Sequence, residues 1–170
     1  MIVALTPEQA EAEIDQLSDL LIDAVDSGAS VGFLPPLLRP AAHAYWRSVI
    51  TAMREGSRVL LAAMDGGVLN GSVQLQLEMR ANGNHRAEAM KLFVHRRARR
   101  RGLAKGLMAA VESTARTRGR TLLLMDTRKG GEAHRMCESL GYVRFGEVPG
   151  YARSADGQLH TTVFFSKQLA

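Results

Sequence analysis

The sequence of 170 residues contains one cysteine, Cys137, one tryptophan and only 5% aromatic residues. A single cysteine excludes an internal disulfide bond and any Cys-x-x-Cys metal or redox motif. No apolar stretch approaches the roughly 20 residues that a membrane-spanning helix requires. Residues 1–10 also lack the basic segment and the following apolar stretch of a secretory signal. We therefore expect a cytoplasmic protein with no membrane partner.

Histidine is scarce as well, and its positions predict no metal site. Metal ligands usually come in pairs at short, regular spacing. The five histidines show no such pairs: His43, His85, His95, His134 and His160. Otherwise the composition, with 46% hydrophobic and 23% charged residues, is typical of a soluble globular protein. The length predicts a single domain that covers residues 1–170.

Positive charge is in excess, but most of the excess lies in one short segment. The net charge is +5, and the chain would be near neutral without five clustered arginines: Arg96, Arg97, Arg99, Arg100 and Arg101. Nucleic-acid binding is one interpretation of such a segment. However, no aromatic residues are interleaved with the arginines, and no known nucleic-acid-binding module surrounds them. We therefore expect a local anion site and no nucleic-acid partner.

Apolar residues at helical spacing predict four helices. The first begins with a capping box at Thr6-Pro7-Glu8-Gln9, in which Thr6 accepts a hydrogen bond and Pro7 takes the first helical position. The third directly follows the arginine segment. Four glycines mark the predicted ends of the helices: Gly28, Gly56, Gly119 and Gly141.

Apolar and alternating segments predict about seven strands. They are Ile2–Leu5, Val59–Met64, Val68–Met79, Ala87–Val94, Thr121–Met125, Tyr142–Phe145 and Thr162–Phe165. The wholly apolar Thr121–Met125 is typical of a strand that is covered on both faces. Pro149-Gly150-Tyr151 and Asp156-Gly157 predict a long loop between the last two strands.

The order of these elements predicts the fold class. The strand–helix–strand unit at 87–126 requires a right-handed parallel crossover, whereas the hairpins at both ends of the chain require antiparallel pairs. We therefore predict an α+β (mixed α/β) fold with a central twisted mixed sheet of about seven strands. About four helices flank this sheet on both faces.

The arginine segment contains the pattern Arg99-x-x-Gly102-x-Ala104 at the junction between a strand and a helix. A tight turn before a helix leaves backbone N–H groups without partners, and the helix dipole adds positive potential there. The pattern therefore predicts an anion site at this helix N-terminus.

This pattern, with the strands Glu88–Val94 and Leu122–Asp126 around its helix and the ending Met136–Tyr142, resembles the GNAT family of N-acetyltransferases. The resemblance covers nearly the whole chain and implies a GNAT-like fold and an acetyl-CoA-dependent enzyme. Within the family, the segments Gly28–Phe33 and Pro149–Tyr151 look similar to the tabtoxin resistance acetyltransferases. That likeness implies transfer to a primary amine of a small molecule, such as a toxin or an antibiotic-like amino acid.

The resemblance assigns the donor site to two segments. The loop and helix start would hold the diphosphate of coenzyme A, at Arg99, Arg100, Arg101, Gly102, Leu103, Ala104 and Lys105. The strand end before them would pair with pantetheine and polarise the thioester carbonyl through a backbone N–H, at Leu92, Phe93 and Val94. Arg96 and Arg97 are expected to be surface residues. No metal cofactor is expected.

For the acceptor site we predict Glu88 and Asp126, two carboxylates at the edges of otherwise apolar strands. They would attract a cationic amine, and one of them would remove its proton. The alternative is a structural salt bridge with Lys91 or Arg128. Phe33 and Tyr151 would line the acceptor pocket, or Tyr151 would only pack within its loop.

Cys137 lies where relatives often have a tyrosine that protonates the departing thiolate. Either its thiol replaces that tyrosine, or it is a small core residue. The missing tyrosine also leaves an alternative function open, namely a GNAT-shaped domain that binds acyl-CoA without catalysis. A homodimer formed through the edge of the sheet is a further prediction.

Overall fold

A computed structural model describes residues 1–169. Within this range, seven strands form one mixed sheet in the order β1-β2-β3-β4-β5-β7-β6. The strands are β1 (Ile2–Ala4), β2 (Arg58–Asp65), β3 (Val68–Leu77), β4 (Arg86–Val94), β5 (Leu122–Arg128), β6 (Val143–Arg153) and β7 (Leu159–Gln168). The predicted fold class and the predicted number of strands are confirmed.

The described chain has five α-helices, one more than expected. They are α1 (Pro7–Ala12), α2 (Ile14–Asp26), α3 (Arg39–Arg54), α4 (Leu103–Thr117) and α5 (Glu132–Ser139). The additional helix arises because the first predicted helix is interrupted at Glu13, where ψ is 11°. Hydrogen bonds still run from Glu13 N to the Gln9 carbonyl and from Leu17 N to the Glu13 carbonyl, so the interruption is a kink in a continuous path. The predicted capping box at Thr6 and Gln9 is present.

The helices cover the two faces of the sheet with separate cores. On one face, α1, α2 and α3 pack around the fully buried Trp46. On the other face, α4 contributes a buried stripe at helical spacing, formed by Leu107, Met108, Val111 and Ala115. No helix among residues 1–169 is long and apolar enough to cross a membrane.

The only parallel pair in this sheet, β4 with β5, is short. Pairing runs from Arg86 with Leu122 to Glu88 with Leu124 and then stops, while β5 continues beside β7 as far as Arg128. The two strands therefore separate beyond Glu88 and Leu124. The predicted separation near residues 92–94 and 125–127 is confirmed.

β4 also contains a bulge just after this point. Its register against β3 shifts between the pairs Gln74–Met90 and Ser72–Phe93, which leaves one extra residue in β4. Lys91 lies in the bulge with a φ of 54°, a left-handed conformation that few residues other than glycine adopt.

Two expectations about the C-terminal strands were wrong. Pro149–Tyr151 belongs to β6, because register shifts at 144–146 and 148–152 accommodate proline and glycine in an edge strand. β5 is also less covered than its apolar sequence predicted. Its Leu123 and Met125 side is buried by α4 and α5, whereas Leu122 and Leu124 on the other side are only half-buried.

Candidate active site

The start of α4 has the backbone geometry of an anion site. Gly102 precedes the helix in the left-handed region, with a φ of 77°, and no side chain caps the helix. An N-terminal turn leaves its first N–H groups without intrahelical partners. A Cβ at Gly102 would have no heavy atom within 4 Å, so the space in front of this turn is open. Arg100 also has a positive φ, 61°.

The arginines divide into two groups, as predicted, but the first group has a definite structural role. Arg96 donates from its backbone N–H and from Nε to the carboxylate of Asp23. Arg97 donates to Asn70 Oδ1 at 2.9 Å and to the Leu69 carbonyl at 2.8 Å. These bonds fix a short 3-10 helix, Arg96–Ala98, that leads into the α4 turn. Both arginines are exposed, yet they anchor the loop.

The second group of arginines is exposed beside the open turn. Arg99 donates from Nε to the Val94 carbonyl at 3.2 Å and so joins the end of β4 to the loop. Arg101 lies 3.8 Å from Asp65, and both side chains are largely in solvent. Such an exposed pair contributes little to stability. Apart from the Nε bond of Arg99, the exposed guanidinium groups of Arg99, Arg100 and Arg101 can turn toward a phosphate.

The predicted pantetheine segment presents backbone groups, while its side chains belong to the two cores. Phe93 is buried, with its ring 6.4 Å from that of Trp46. Leu92 and Val94 pack on the α4 side. Because β5 leaves β4 after Glu88, the edge of this segment that faces β5 has no strand partner. An extended ligand could be added here as a strand.

Glu88 and Asp126 lie on the same face of the sheet. Glu88 pairs with Leu124, and Asp126 lies two residues further along β5; residues at this spacing project from the same side. Among residues 1–169, neither carboxylate accepts a hydrogen bond or lies within 4 Å of a lysine or arginine nitrogen. The salt-bridge alternatives are not formed, because Arg128 points toward Ser154 Oγ at 3.4 Å and Lys91 binds a backbone carbonyl.

Both carboxyl groups hold their protons more tightly than usual. Partial burial raises the pKa of Glu88, and the negative charge of Asp126 raises it further, against the positive charges of Arg58 and Lys91. Burial also raises the pKa of Asp126, although Lys91 opposes the shift. Each carboxylate is therefore a stronger base than an exposed one.

A polar network that the sequence did not predict lies on this face of the sheet. Arg58 donates to Gln76 Oε1 at 2.6 Å and to Gln74 Oε1, and Gln74 Nε2 in turn donates to the Tyr45 hydroxyl at 2.8 Å. Gln74 is fully buried. The available signal was the alternation of Gln74 and Gln76 with apolar residues in a central strand, where a helix-covered face should be apolar.

Two loops meet beside the same face. Phe33, in the loop between α2 and α3, packs edge-on against Tyr45 with ring centroids 5.2 Å apart. This loop and residues 153–155, at the end of β6, line one small cavity. Tyr151 is exposed and packs edge-on against Phe164, the partner of Asp126 in β7. Phe33 is thus linked through Tyr45 to the polar network, and Tyr151 is linked through Phe164 to the strand position beside Asp126.

A cleft of about 230 Å³ opens at Glu88. Its lining comes from the facing ends of β3 and β4 together with β5, namely Gln76, Leu77, Glu78, Met79, Arg86, Ala87, Glu88 and Leu124. Glu78 is held there by hydrogen bonds from Arg80 and Arg86. Glu88 is therefore the unpaired carboxylate of this cleft.

Comparison with known proteins identifies the family. The model of the Acetyltransferase (GNAT) family matches residues 16–142. This chain is a GNAT acetyltransferase. It is 34% identical over 119 residues, 69% of each chain, to an uncharacterized N-acetyltransferase encoded in the hisH–hisA intergenic region of Azospirillum brasilense. These matches identify it as an N-acetyltransferase.

The GNAT fold extends over essentially the whole chain. A ribosomal-protein-alanine N-acetyltransferase from Brucella melitensis superposes with a TM-score of 0.81 and 20% identity, over 99% of both chains. YncA from Salmonella typhimurium, solved with its cofactor acetyl-CoA, superposes with a TM-score of 0.80 and 17% identity, over 100% of this chain and 94% of the other. At these identities the likeness concerns the fold alone.

Cys137 departs from the GNAT pattern and is placed in the core. Its side chain is fully buried, and Sγ lies 3.4 Å from Met125 Sδ. Burial raises the pKa of the Cys137 thiol to about 12. A thiol of this kind is a weaker acid than coenzyme A, whose thiol resembles the free cysteine thiol with a pKa of about 8.5. The geometry favours the core alternative.

The described residues contain no group of three or more histidine, cysteine, aspartate or glutamate side chains that could hold a metal ion. His134, on α5, bonds instead to Glu138 at 3.2 Å and packs on Phe165. These contacts give this histidine a structural role.

Proposed function

We propose that this GNAT enzyme transfers the acetyl group of acetyl-CoA directly to a primary amine of a small molecule, with Glu88 and Asp126 binding the amine and removing its proton. The observation that carries the proposal is the separation of β4 and β5 beside two carboxylates that have no partners in the described chain. The backbone groups proposed for the donor and the acidic groups proposed for the acceptor thereby border the same opening between β4 and β5.

The donor residues fit acetyl-CoA, which supplies an activated acetyl thioester when bound. The open space at Gly102 allows a diphosphate to approach the backbone. The N–H groups of residues 103–105 and the exposed guanidinium groups of Arg99, Arg100 and Arg101 would hold its charge. The free edge of β4 at Leu92–Val94 would hold pantetheine, and a backbone N–H there would stabilise negative charge on the carbonyl oxygen.

The acceptor residues fit an amine. An alkyl amine has a pKa of about 10 and arrives as a cation, which the two carboxylates attract. It must lose a proton before it can attack. A carboxylate with a raised pKa accepts this proton more readily at neutral pH. Glu88 and Asp126 would share this work, directly or through a water molecule.

The proposal of a small acceptor rests on the surroundings of the carboxylates. The loop that carries Phe33 meets the end of β6, and Tyr151 and Phe164 form an aromatic pair beside Asp126. A site bounded in this way suits a compact ligand. Together with the likeness to tabtoxin resistance enzymes, this supports a toxin or an antibiotic-like amino acid as the acceptor.

No proton donor for the departing thiolate is assigned. The pKa of Cys137 is about 12, well above that of the coenzyme A thiol. Transfer of its proton to the departing thiolate is therefore unfavourable in free energy. A thiolate leaves readily unaided, so the reaction tolerates this absence. We therefore propose Cys137 as a core residue and assign the chemistry to the carboxylates.

The test is a panel of amines with the purified full chain. CoA release from acetyl-CoA is measured with a thiol-reactive dye for an α-amino acid, a diamine, an aminoglycoside and a peptide that begins with alanine, while calorimetry measures acetyl-CoA binding. The proposal expects rapid release with at least one small amine. Binding without release on the whole panel would favour the acyl-CoA-binding alternative, and release with the peptide alone would contradict a small acceptor.

The predicted homodimer and cytoplasmic location also stay predictions. The strand β6 is at the edge of the sheet and exposes Val143, Phe145 and Tyr151, which supports a second copy as a partner. Light scattering after size exclusion would measure the assembly state.

A further inference from the structure

Lys91 is a half-buried, positively charged residue of the proposed acceptor site, and its backbone is strained. It occupies the β4 bulge with a φ of 54°, and a non-glycine residue keeps this conformation only where the surrounding structure requires it. The bulge lies three residues beyond Glu88, where β4 leaves β5. Strain at the opening of a proposed active site suggests a role beyond packing.

The side chain of Lys91 joins β4 to the acceptor loop. Its ammonium group donates to the Val31 carbonyl at 2.7 Å. It also lies 3.2 Å from the position that a Cβ would take on Gly32, whose φ is 84°. The next residue of that loop is Phe33, one wall of the proposed pocket. The contact spans 60 residues of sequence.

Lys91 also places a positive charge beside both carboxylates. Charged groups act on it from three strands: Arg58 on β2, Glu88 on β4 and Asp126 on β5. Burial and Arg58 lower the pKa of Lys91, while Asp126 and Glu88 oppose the shift. Lys91 has no ion pair within 4 Å in the described chain, so its charge acts without occupying either carboxylate.

We propose that Lys91 is a positioning residue of the acceptor site, which pins the loop of residues 28–34 to the β4 bulge and holds a positive charge against Glu88 and Asp126. This inference rests on the proposed function of the two carboxylates. The ammonium favours their ionised, proton-accepting forms while leaving their oxygens open to the amine. The Lys91 side chain therefore positions the loop that forms one wall of the pocket and also contributes positive potential at the two carboxylates.

One test needs no acceptor. Hydrogen exchange followed by mass spectrometry reports on residues 28–34 directly. Lys91→Met should speed exchange there about tenfold, because the loop loses a bond from a charged donor. Lys91→Gly should do the same although glycine relieves the strain. Lys91→Arg should keep most of the protection, and Lys129→Met, which removes an ammonium paired with Glu147, is the matched control.

The second test uses the amine of the panel that releases CoA fastest. Lys91→Met and Lys91→Gly should move the acid limb of kcat/KM up by about one pH unit and raise KM for the amine, with KM for acetyl-CoA unchanged. Lys91→Arg should restore the limb. The proposal would be overturned if Lys91→Met and Lys91→Gly both exchanged residues 28–34 at the wild-type rate. It would also be overturned if both variants kept the acid limb of kcat/KM at the wild-type pH. No CoA release by the wild-type protein would instead overturn the proposed function.

Discussion

Asp23, on α2, accepts hydrogen bonds from both the backbone N–H and the guanidinium group of Arg96, which lies 73 residues away. Burial alone would raise the pKa of Asp23, but the bonds from Arg96 outweigh it and lower the pKa. The pair ties the last turns of α2 to the 3-10 helix that precedes the α4 turn. Helix α2, which leads to the loop that carries Phe33, is thereby joined to the 3-10 helix Arg96–Ala98, which leads to the turn at Gly102.

Asp23→Asn should therefore weaken acetyl-CoA binding as well as stability. Asparagine keeps the size but not the charge, so the hydrogen bonds to Arg96 become weaker. We expect a loss of about 1–3 kcal/mol in the free energy of unfolding and a higher KM for acetyl-CoA, measured by denaturation and initial rates. Asp19→Asn, at an exposed pair with Arg39, is the control and should change neither. An unchanged KM in Asp23→Asn would show that the pair has no role in the donor site.

Gly102→Ala should separate backbone strain from ligand binding. Gly102 and Gly119 have similar positive φ values, 77° and 70°, and neither has a neighbour within 4 Å of an added Cβ. Alanine at either position should cost about 1–2 kcal/mol of stability. Only Gly102→Ala should lower acetyl-CoA affinity, by about tenfold or more, because the methyl group fills the space that we assign to the diphosphate. Equal affinities in calorimetry would remove Gly102 from the donor site.

Cys137→Ala should leave catalysis unchanged. The thiol is fully buried and has a raised pKa, so it neither supplies a proton nor reacts readily at neutral pH. The loss of its sulfur from the core should cost about 1–2 kcal/mol of stability. The measurement is kcat between pH 6 and 9. A lower kcat across this range, in which the wild-type thiol is protonated, would restore Cys137 as the general acid.

The pH dependence of activity follows from the direction of the carboxyl shifts. A protonated carboxyl group cannot accept a proton, so kcat/KM falls as the pH falls through its pKa. Because burial raises the pKa of Glu88 and Asp126, the fall should occur above the range of about 4 that exposed carboxyls show. Asp126→Asn removes the negative charge that raises the pKa of Glu88, and any remaining activity should therefore have its acid limb at lower pH. If kcat/KM of the wild-type protein fell only near pH 4, as for exposed carboxyl groups, this would contradict a role for Glu88 and Asp126.

Local sequence signals predicted the elements that determine the site. The capping box at Thr6, the buried stripe of α4 and the order of the strands were all readable from spacing, because each depends on residues close in the chain. The likeness to GNAT enzymes then predicted that the donor loop and the two carboxylates lie in one region, and β4 separates from β5 beside the predicted residues.

Long-range contacts explain what sequence analysis missed. The bond of Arg96 to Asp23 and that of Lys91 to the Val31 carbonyl join residues more than 50 positions apart, so no local pattern contains them. The bulge at Lys91 likewise depends on the register against β3. Pro149 and Gly150 were assigned to a loop since their local preference favours turns, whereas pairing with β7 overrides that preference at an edge strand.

The most direct test of the central claim is CoA release by the double variant Glu88→Gln/Asp126→Asn at saturating acetyl-CoA and amine. The variant keeps the shape of both side chains but removes both proton acceptors. We predict acetyl-CoA binding within twofold of the wild-type protein and CoA release that is about 10²- to 10⁴-fold slower, the range expected for the loss of general base catalysis. Wild-type rates of CoA release from the double variant would contradict the account.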